Sequence, residues 1–141
     1  MEDRKSLVIC EKLIKHCVRM YDVVWVDMGE DETICYKGKH PAIIIQNNSG
    51  NYNSDYTIVM FGTTKIKKEY LPSNFVIKQG SYGLIKDTMF MANMICSINK
   101  SKIFDYIGFI DDEDTREIIV DAYMSNITGK RDNFSNDDLK E

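Results

Sequence analysis

Residues 37–48 read Lys37-Gly38-Lys39-His40-Pro41-Ala42-Ile43-Ile44-Ile45-Gln46-Asn47-Asn48. Pro41 fixes its own φ and pushes His40 towards an extended conformation, so the turn is over by His40. Ala42 to Ile45 is too short and too β-branched for a helix, and reads as a buried strand. The stretch therefore holds an imidazole at the mouth of a rigid strand, beside Lys37 and Lys39. The other reading is a loop histidine whose ring faces solvent.

The flanking sequence supplies more strands. Tyr21–Val26 (Y-D-V-V-W-V) is β-branched and aromatic. After Asn47 comes N-S-G-N-Y-N-S-D, a loop tip. Asp55–Thr63 is the next strand, with Thr57, Val59, Phe61 and Thr63 on one face. Gly62 near its end signals a bulge or a close backbone approach. Asn74–Ile77 is a short strand, Gly80-Ser81-Tyr82-Gly83 a turn, Asp87–Ile98 a long apolar strand, and Ile103–Phe109 a further one. Asp111 to Asp114 place acids where a helix dipole favours them, and the helix then runs to about Asn126 and ends at Gly129. Ile119, Tyr123 and Ile127 are expected on one side of it.

Two terminal segments frame this unit. Residues 4–19 carry Leu7, Cys10, Ile14 and Cys17 at three- and four-residue steps, widened by Leu13 and Val18, which predicts an amphipathic helix. His16 and Cys17 lie one residue apart and point in different directions on a helix, so a packed face is favoured over a metal site. The tail, 129–141, has little to bury and is expected to be disordered. The expected organisation is thus an extension over 1–19, a domain over 20–128 and an acidic tail over 129–141.

At 141 residues, with 43% hydrophobic and 28% charged residues, the chain has the composition of one globular domain. No apolar run is long enough to cross a bilayer, and the N-terminus M-E-D-R-K lacks the apolar block of a signal peptide. A cytoplasmic protein with free thiols is expected, the four cysteines having no C-x-x-C spacing. Net charge is −4, unevenly placed. Residues 37–102 carry nine lysines against three acids, while residues 103–141 carry eleven acids against four bases. That balance excludes a uniformly basic nucleic-acid binder and leaves room for a local basic groove. The Glu30-Asp31-Glu32 run lacks the further oxygen ligands that Mg²⁺ or Ca²⁺ needs, and no metal or cofactor is expected.

Short strands with Gly-bearing turns, closed by one helix, suggest a small barrel. In chain order, V-V-W-V-D-M, G-K-H-P-A-I-I-I-Q-N-N, T-I-V-M-F-G-T-T-K-I, Leu71-Pro72, K-D-T-M-F-M, I-N-K-S-K-I and I-G-F-I-D-D-E resemble the MazF/PemK family of bacterial toxin endoribonucleases. The resemblance covers residues 20–128. It implies a mainly β (α+β) fold, a small SH3-like antiparallel barrel with a C-terminal helix. Residues 4–19 would add an extra N-terminal helix. It also implies a homodimer, a cognate antitoxin, and metal-independent cleavage of single-stranded RNA. That chemistry is attack of the 2′-hydroxyl on the adjacent phosphate, leaving a 2′,3′-cyclic phosphate and a 5′-hydroxyl.

Carried over by position, the family's catalytic threonine falls on Thr63. Its catalytic arginine, in an R-P dipeptide, falls on His40. The usual G-S-E-Q loop becomes Thr33-Ile34-Cys35-Tyr36, and the usual E-Q-I-R-T segment becomes Asn93-Met94-Ile95-Cys96-Ser97. An arginine is mainly a bidentate phosphate clamp, whereas imidazole can take or give a proton near neutral pH. Thr63 would donate to a non-bridging phosphate oxygen. Lys37, Lys39, Lys65, Lys67 and Lys68 are candidate phosphate contacts, Tyr36 a candidate base-stacking residue, and Asn47 and Asn93 further candidate RNA contacts. Solvated surface is the plain alternative for each lysine. Three functions follow: a toxin endoribonuclease, a MazF-like module that binds RNA or an antitoxin without cleavage, and an interaction module that docks through residues 4–19.

Overall fold

The computed structural model describes residues 18–33 and 36–130. Its strands are β1 Asp22–Asp27, β2 Lys39–Ile44, β3 Tyr56–Thr63, β4 Asn74–Ile77, β5 Thr88–Asn99 and β6 Ile103–Phe109. Its helices are α1 Asn48–Asn53 and α2 Glu113–Thr128. The strands form one antiparallel sheet in the order β4-β5-β3-β2-β1-β6. Alternation along the strands puts Val24, Val26, Ala42, Ile44, Val59 and Phe61 into one core. The residues between them, Val23, Ile43 and Met60, join Phe90 and Ala92 in a second core on the opposite face. Apolar cover on both faces explains why these strands read as continuous β-branched runs.

The sheet is not closed by hydrogen bonds, unlike the barrel expected from the sequence. Its two edge strands, β4 and β6, have no ladder between them. The turn between β4 and β5 bridges the gap instead, by backbone contact. A Cβ on Gly83 would lie 2.1 Å from the Ile107 carbonyl oxygen, and one on Gly108 would lie 1.9 Å from the Tyr82 carbonyl oxygen. Two glycines thus let the turn lie directly on β6.

Gly62 fulfils both expectations at once. Met60 pairs with Ile95 and Gly62 with Phe90, so Phe61 alone spans residues 91–94 of an irregular, bent β5. A Cβ at Gly62 would come within 2.8 Å of the Phe90 ring.

Other expectations need correction. The 47–55 stretch is not all loop, because it contains α1. Asn47 caps this helix by accepting the Gly50 N–H at 2.8 Å. The buried Asn51 side chain accepts from Thr57 Oγ1 at 2.7 Å and donates to the Gln46 carbonyl at 2.9 Å. Of the expected 4–19 helix, residues 4–17 lie outside the described residues, and Val18 and Arg19 are not helical. The 131–141 part of the expected tail lies outside them too. On α2 the buried residues are Ile119, Ala122 and Ser125, whereas Tyr123 and Ile127 are 38% and 58% exposed. The small residues let the helix lie close on β5, where Asn126 Nδ2 donates to the Ala92 carbonyl at 3.3 Å. Among the described residues, no helix is long and apolar enough to cross a membrane.

Candidate active site

Three chain segments meet where β2 begins and β3 ends. The β2–β3 ladder pairs Ile44 with Val59, Ile43 with Met60 and Ala42 with Phe61. Continued by two residues, that register sets His40 across from Thr63, on the face that carries Ala42 and Phe61. Tyr36 joins the two. Its ring stacks on His40 with centroids 3.6 Å apart and planes 13° from parallel, and meets Phe61 edge-on at 5.2 Å. The Tyr36 hydroxyl donates to the Gly62 carbonyl at 2.9 Å, beside the Thr63 hydroxyl. Burial pushes the Tyr36 phenol above its ordinary pKa, opposed by the neighbouring Thr63 hydroxyl.

The loop before β2 is shaped to deliver these groups. Gly38 has φ +94°, its N–H donates to the Gly29 carbonyl at 2.7 Å, and its carbonyl accepts the Met28 N–H at 2.9 Å. Tyr36 itself has φ +60°, a left-handed conformation that a bulky residue seldom takes. His40 Nε2 lies 2.7 Å from the Lys37 carbonyl oxygen. Within this loop Lys37 Nζ pairs with Glu32 at 2.8 Å, both groups exposed. Such a pair contributes little to stability. It does draw the acidic loop towards the site.

At the exit of β3, Thr63 Oγ1 accepts the Lys65 N–H at 3.0 Å. Lys65, Lys67 and Lys68 are exposed on the following loop, and none has an ion-pair partner among the described residues. Residues Pro41 and Thr64, next to the facing pair, line a separate cleft of about 640 Å³ with Trp25, Ile85, Lys86 and Tyr106.

The structure therefore brings together Tyr36, His40 and Thr63, with the three loop lysines following Thr63 in the chain. Asn93 is exposed in the bent part of β5 that lies across from Phe61. Lys39 is separated from His40 by the pleat, and its Nζ sits 5.4 Å from the Phe104 ring. Asn47 is at the far end of β2, roughly 20 Å of strand from His40, where it caps α1. Of the Thr33–Tyr36 segment, Ile34 and Cys35 lie outside the described residues. Sequence reasoning missed the Lys37 and Gly62 carbonyls and the Phe61 ring as parts of the site. Gly38 was the available signal, since a glycine two residues before a strand-opening histidine allows a tight return of the loop. Among the described residues, no three His, Cys, Asp or Glu side chains cluster as a metal site.

Comparison with known proteins follows the same outline. Residues 19–120 match the family model of the PemK-like, MazF-like toxins of type II toxin–antitoxin systems. An endoribonuclease MazF of Staphylococcus saprophyticus is 28% identical over 101 residues, covering 72% of this chain and 84% of that protein. A mycobacterial endoribonuclease, solved in complex with its cognate antitoxin, superposes with a TM-score of 0.64 at 22% identity, over 79% of this chain and 95% of that one. A MazF of Deinococcus radiodurans gives 0.62 at 12% identity, over 79% and 96%. At these identities the two structures speak for the fold.

Proposed function

Given that the chain belongs to the PemK-like, MazF-like toxins of type II toxin–antitoxin systems, we propose that it is a cytoplasmic toxin endoribonuclease acting on single-stranded RNA. The observation that carries this reading is the facing pair, His40 and Thr63, joined by Tyr36 at one end of the sheet.

RNA transesterification needs a group to take the 2′-hydroxyl proton and donors for the charged phosphorane. His40 is the proton-transfer group. Thr63 is the donor: its oxygen accepts the Lys65 N–H, and its proton, beside the Tyr36 oxygen in the free protein, turns to a non-bridging phosphate oxygen when RNA binds. Lys65, Lys67 and Lys68 carry the flanking phosphates. A His in place of the family's arginine gives up a bidentate clamp and adds proton transfer, so these lysines take a larger share of phosphate binding.

The same membership points to two protein partners, a second copy of this chain and an antitoxin. On α2, Val120, Tyr123, Met124 and Ile127 are exposed on the side away from Ala122 and Ser125. A helix that is apolar on both sides has a second surface to cover. We assign that surface to the second copy.

A second reading is a module that binds RNA without cutting it. It is favoured by the His40 Nε2 contact with the Lys37 carbonyl, which occupies one of the two ring nitrogens. Incubation with a long RNA in EDTA, with the new 5′ ends mapped, separates the two. Discrete 5′-hydroxyl ends that disappear in His40→Ala are expected. RNA bound but uncut would overturn the nuclease in favour of the binding module, and ends unchanged in His40→Ala would remove His40 from the site.

A further inference from the structure

The His40 ring is held in one tautomer. Its Nε2 sits 2.7 Å from the Lys37 carbonyl oxygen, which can only accept. Nε2 must therefore carry the proton of that bond in both the neutral and the cationic ring, which leaves the lone pair of the neutral ring on Nδ1. The Nε2 edge faces the loop: a Cβ on Gly38 would lie 3.8 Å from Nε2 and 3.7 Å from Glu30 Oε1. Nδ1 is on the other edge of the ring.

The ring is also held in orientation. Tyr36 stacks on it, 3.6 Å between centroids, and Phe61 meets it edge-on at 6.0 Å and 74°. Tyr36 is itself fixed by its bond to the Gly62 carbonyl and by Phe61. Those contacts keep a tyrosine at φ +60°, the kind of backbone strain that surrounding structure maintains where geometry matters. One face of Tyr36 is thus spent on His40, which argues against the base-stacking role expected from the sequence.

We propose that Nδ1 of His40 takes the 2′-hydroxyl proton, and that Tyr36 is a positioning residue that holds the ring for it. This rests on the nuclease reading above. As the proton moves to Nδ1, the 2′-oxygen bonds to phosphorus and the bond from phosphorus to the 5′-oxygen breaks. The 5′-oxygen takes a proton from water, and the imidazolium later returns its own to solvent. Glu30 and Lys37, the latter paired with Glu32, are the charged groups on the loop side of the ring.

The test has two arms on the full-length protein. In the first, ¹⁵N-histidine NMR is recorded without RNA, with His40→Gln to assign the signals. A neutral His40 with protonated Nε2 and bare Nδ1 is expected; a proton on Nδ1 would overturn the proposal. In the second, Tyr36→Leu is expected to lower kcat by about 100-fold with KM changed by less than about threefold. Tyr36→Phe, which keeps the stacked ring, is expected to recover most of that loss. A rise in KM alone, or no recovery in Tyr36→Phe, would make Tyr36 an RNA contact or a plain structural residue. If wild type cuts no RNA, the nuclease reading and the proton-acceptor role fall together. The NMR arm still decides whether the ring is held.

Discussion

Gly83 and Gly108 interlock. A side chain on either would strike the carbonyl next to the other, Ile107 O at 2.1 Å from a Cβ on Gly83 and Tyr82 O at 1.9 Å from a Cβ on Gly108. This contact joins the two edges of a sheet that no ladder closes. Gly83 also has φ +84°, so a side chain there is strained as well as obstructed. Gly83→Ala is expected to cost about 2 kcal/mol or more. Thermal unfolding should show a fall in Tm on the order of 5–10 °C. An unchanged Tm would mean that the turn can lift from β6 at no cost.

Thr63 accepts the Lys65 N–H through the same oxygen that carries its proton. Thr63→Val removes both functions with almost no change in shape, and single-turnover cleavage is expected to slow by about 100-fold. Thr63→Ser keeps the hydroxyl and should stay within about tenfold of wild type. Equal losses in both would show that the methyl group, and not the hydroxyl, matters.

The three loop lysines make a prediction that does not depend on cleavage. Replacing Lys65, Lys67 and Lys68 by Ala together should weaken RNA binding. The plot of log affinity against log salt should flatten by about 2, near 0.7 for each lost phosphate contact. Titrations at several salt concentrations measure it. A slope unchanged by the triple substitution would return these lysines to solvated surface.

Asp112 caps α2, accepting the Thr115 N–H at 2.9 Å, and also accepts the Tyr82 hydroxyl. The Tyr82 bond, followed by those from Thr115, lowers its carboxyl from 3.8 to about 2. A folded-state pKa below the unfolded value stabilises the protein in full above about pH 4. That contribution is lost as pH falls from about 4 to about 2. Asp112→Asn should therefore be less stable than wild type at neutral pH and lose less stability across that window. Urea melts from pH 6 to pH 2 would show it, and parallel curves for the two proteins would rule it out.

The outward residues of α2 test the second copy. Met124→Glu with Ile127→Glu should leave the fold intact, since both side chains are exposed. The mass seen in solution by light scattering should fall from two chains to one. A dimer that survives would place the second copy on another surface.

Local chemistry was legible in the chain by itself. Pro41 and the β-branched run after it determined a strand beginning near His40, because a fixed φ and crowded side chains act within a few residues. The acids from Asp111 to Asp114 and the following Gly129 marked the ends of α2 for the same reason, and the structure makes Asp112 the N-cap and puts Gly129 at φ +72°. Even Gly62, read as a bulge or a close approach, was a local signal. Which residues of α2 turn inward was not local: Ala122 and Ser125 are buried with Ile119 because the helix must fit the surface of β5, while the sequence pattern grouped Ile119 with Tyr123 and Ile127 on one side. Nor could the chain show that Tyr36 lies on His40, since the stack depends on a loop held by Gly29 and Gly38 and on Phe61 from a different strand. Residue type and spacing act over one turn or one strand. Contacts between segments far apart in sequence exist only once the sheet has brought their ends together.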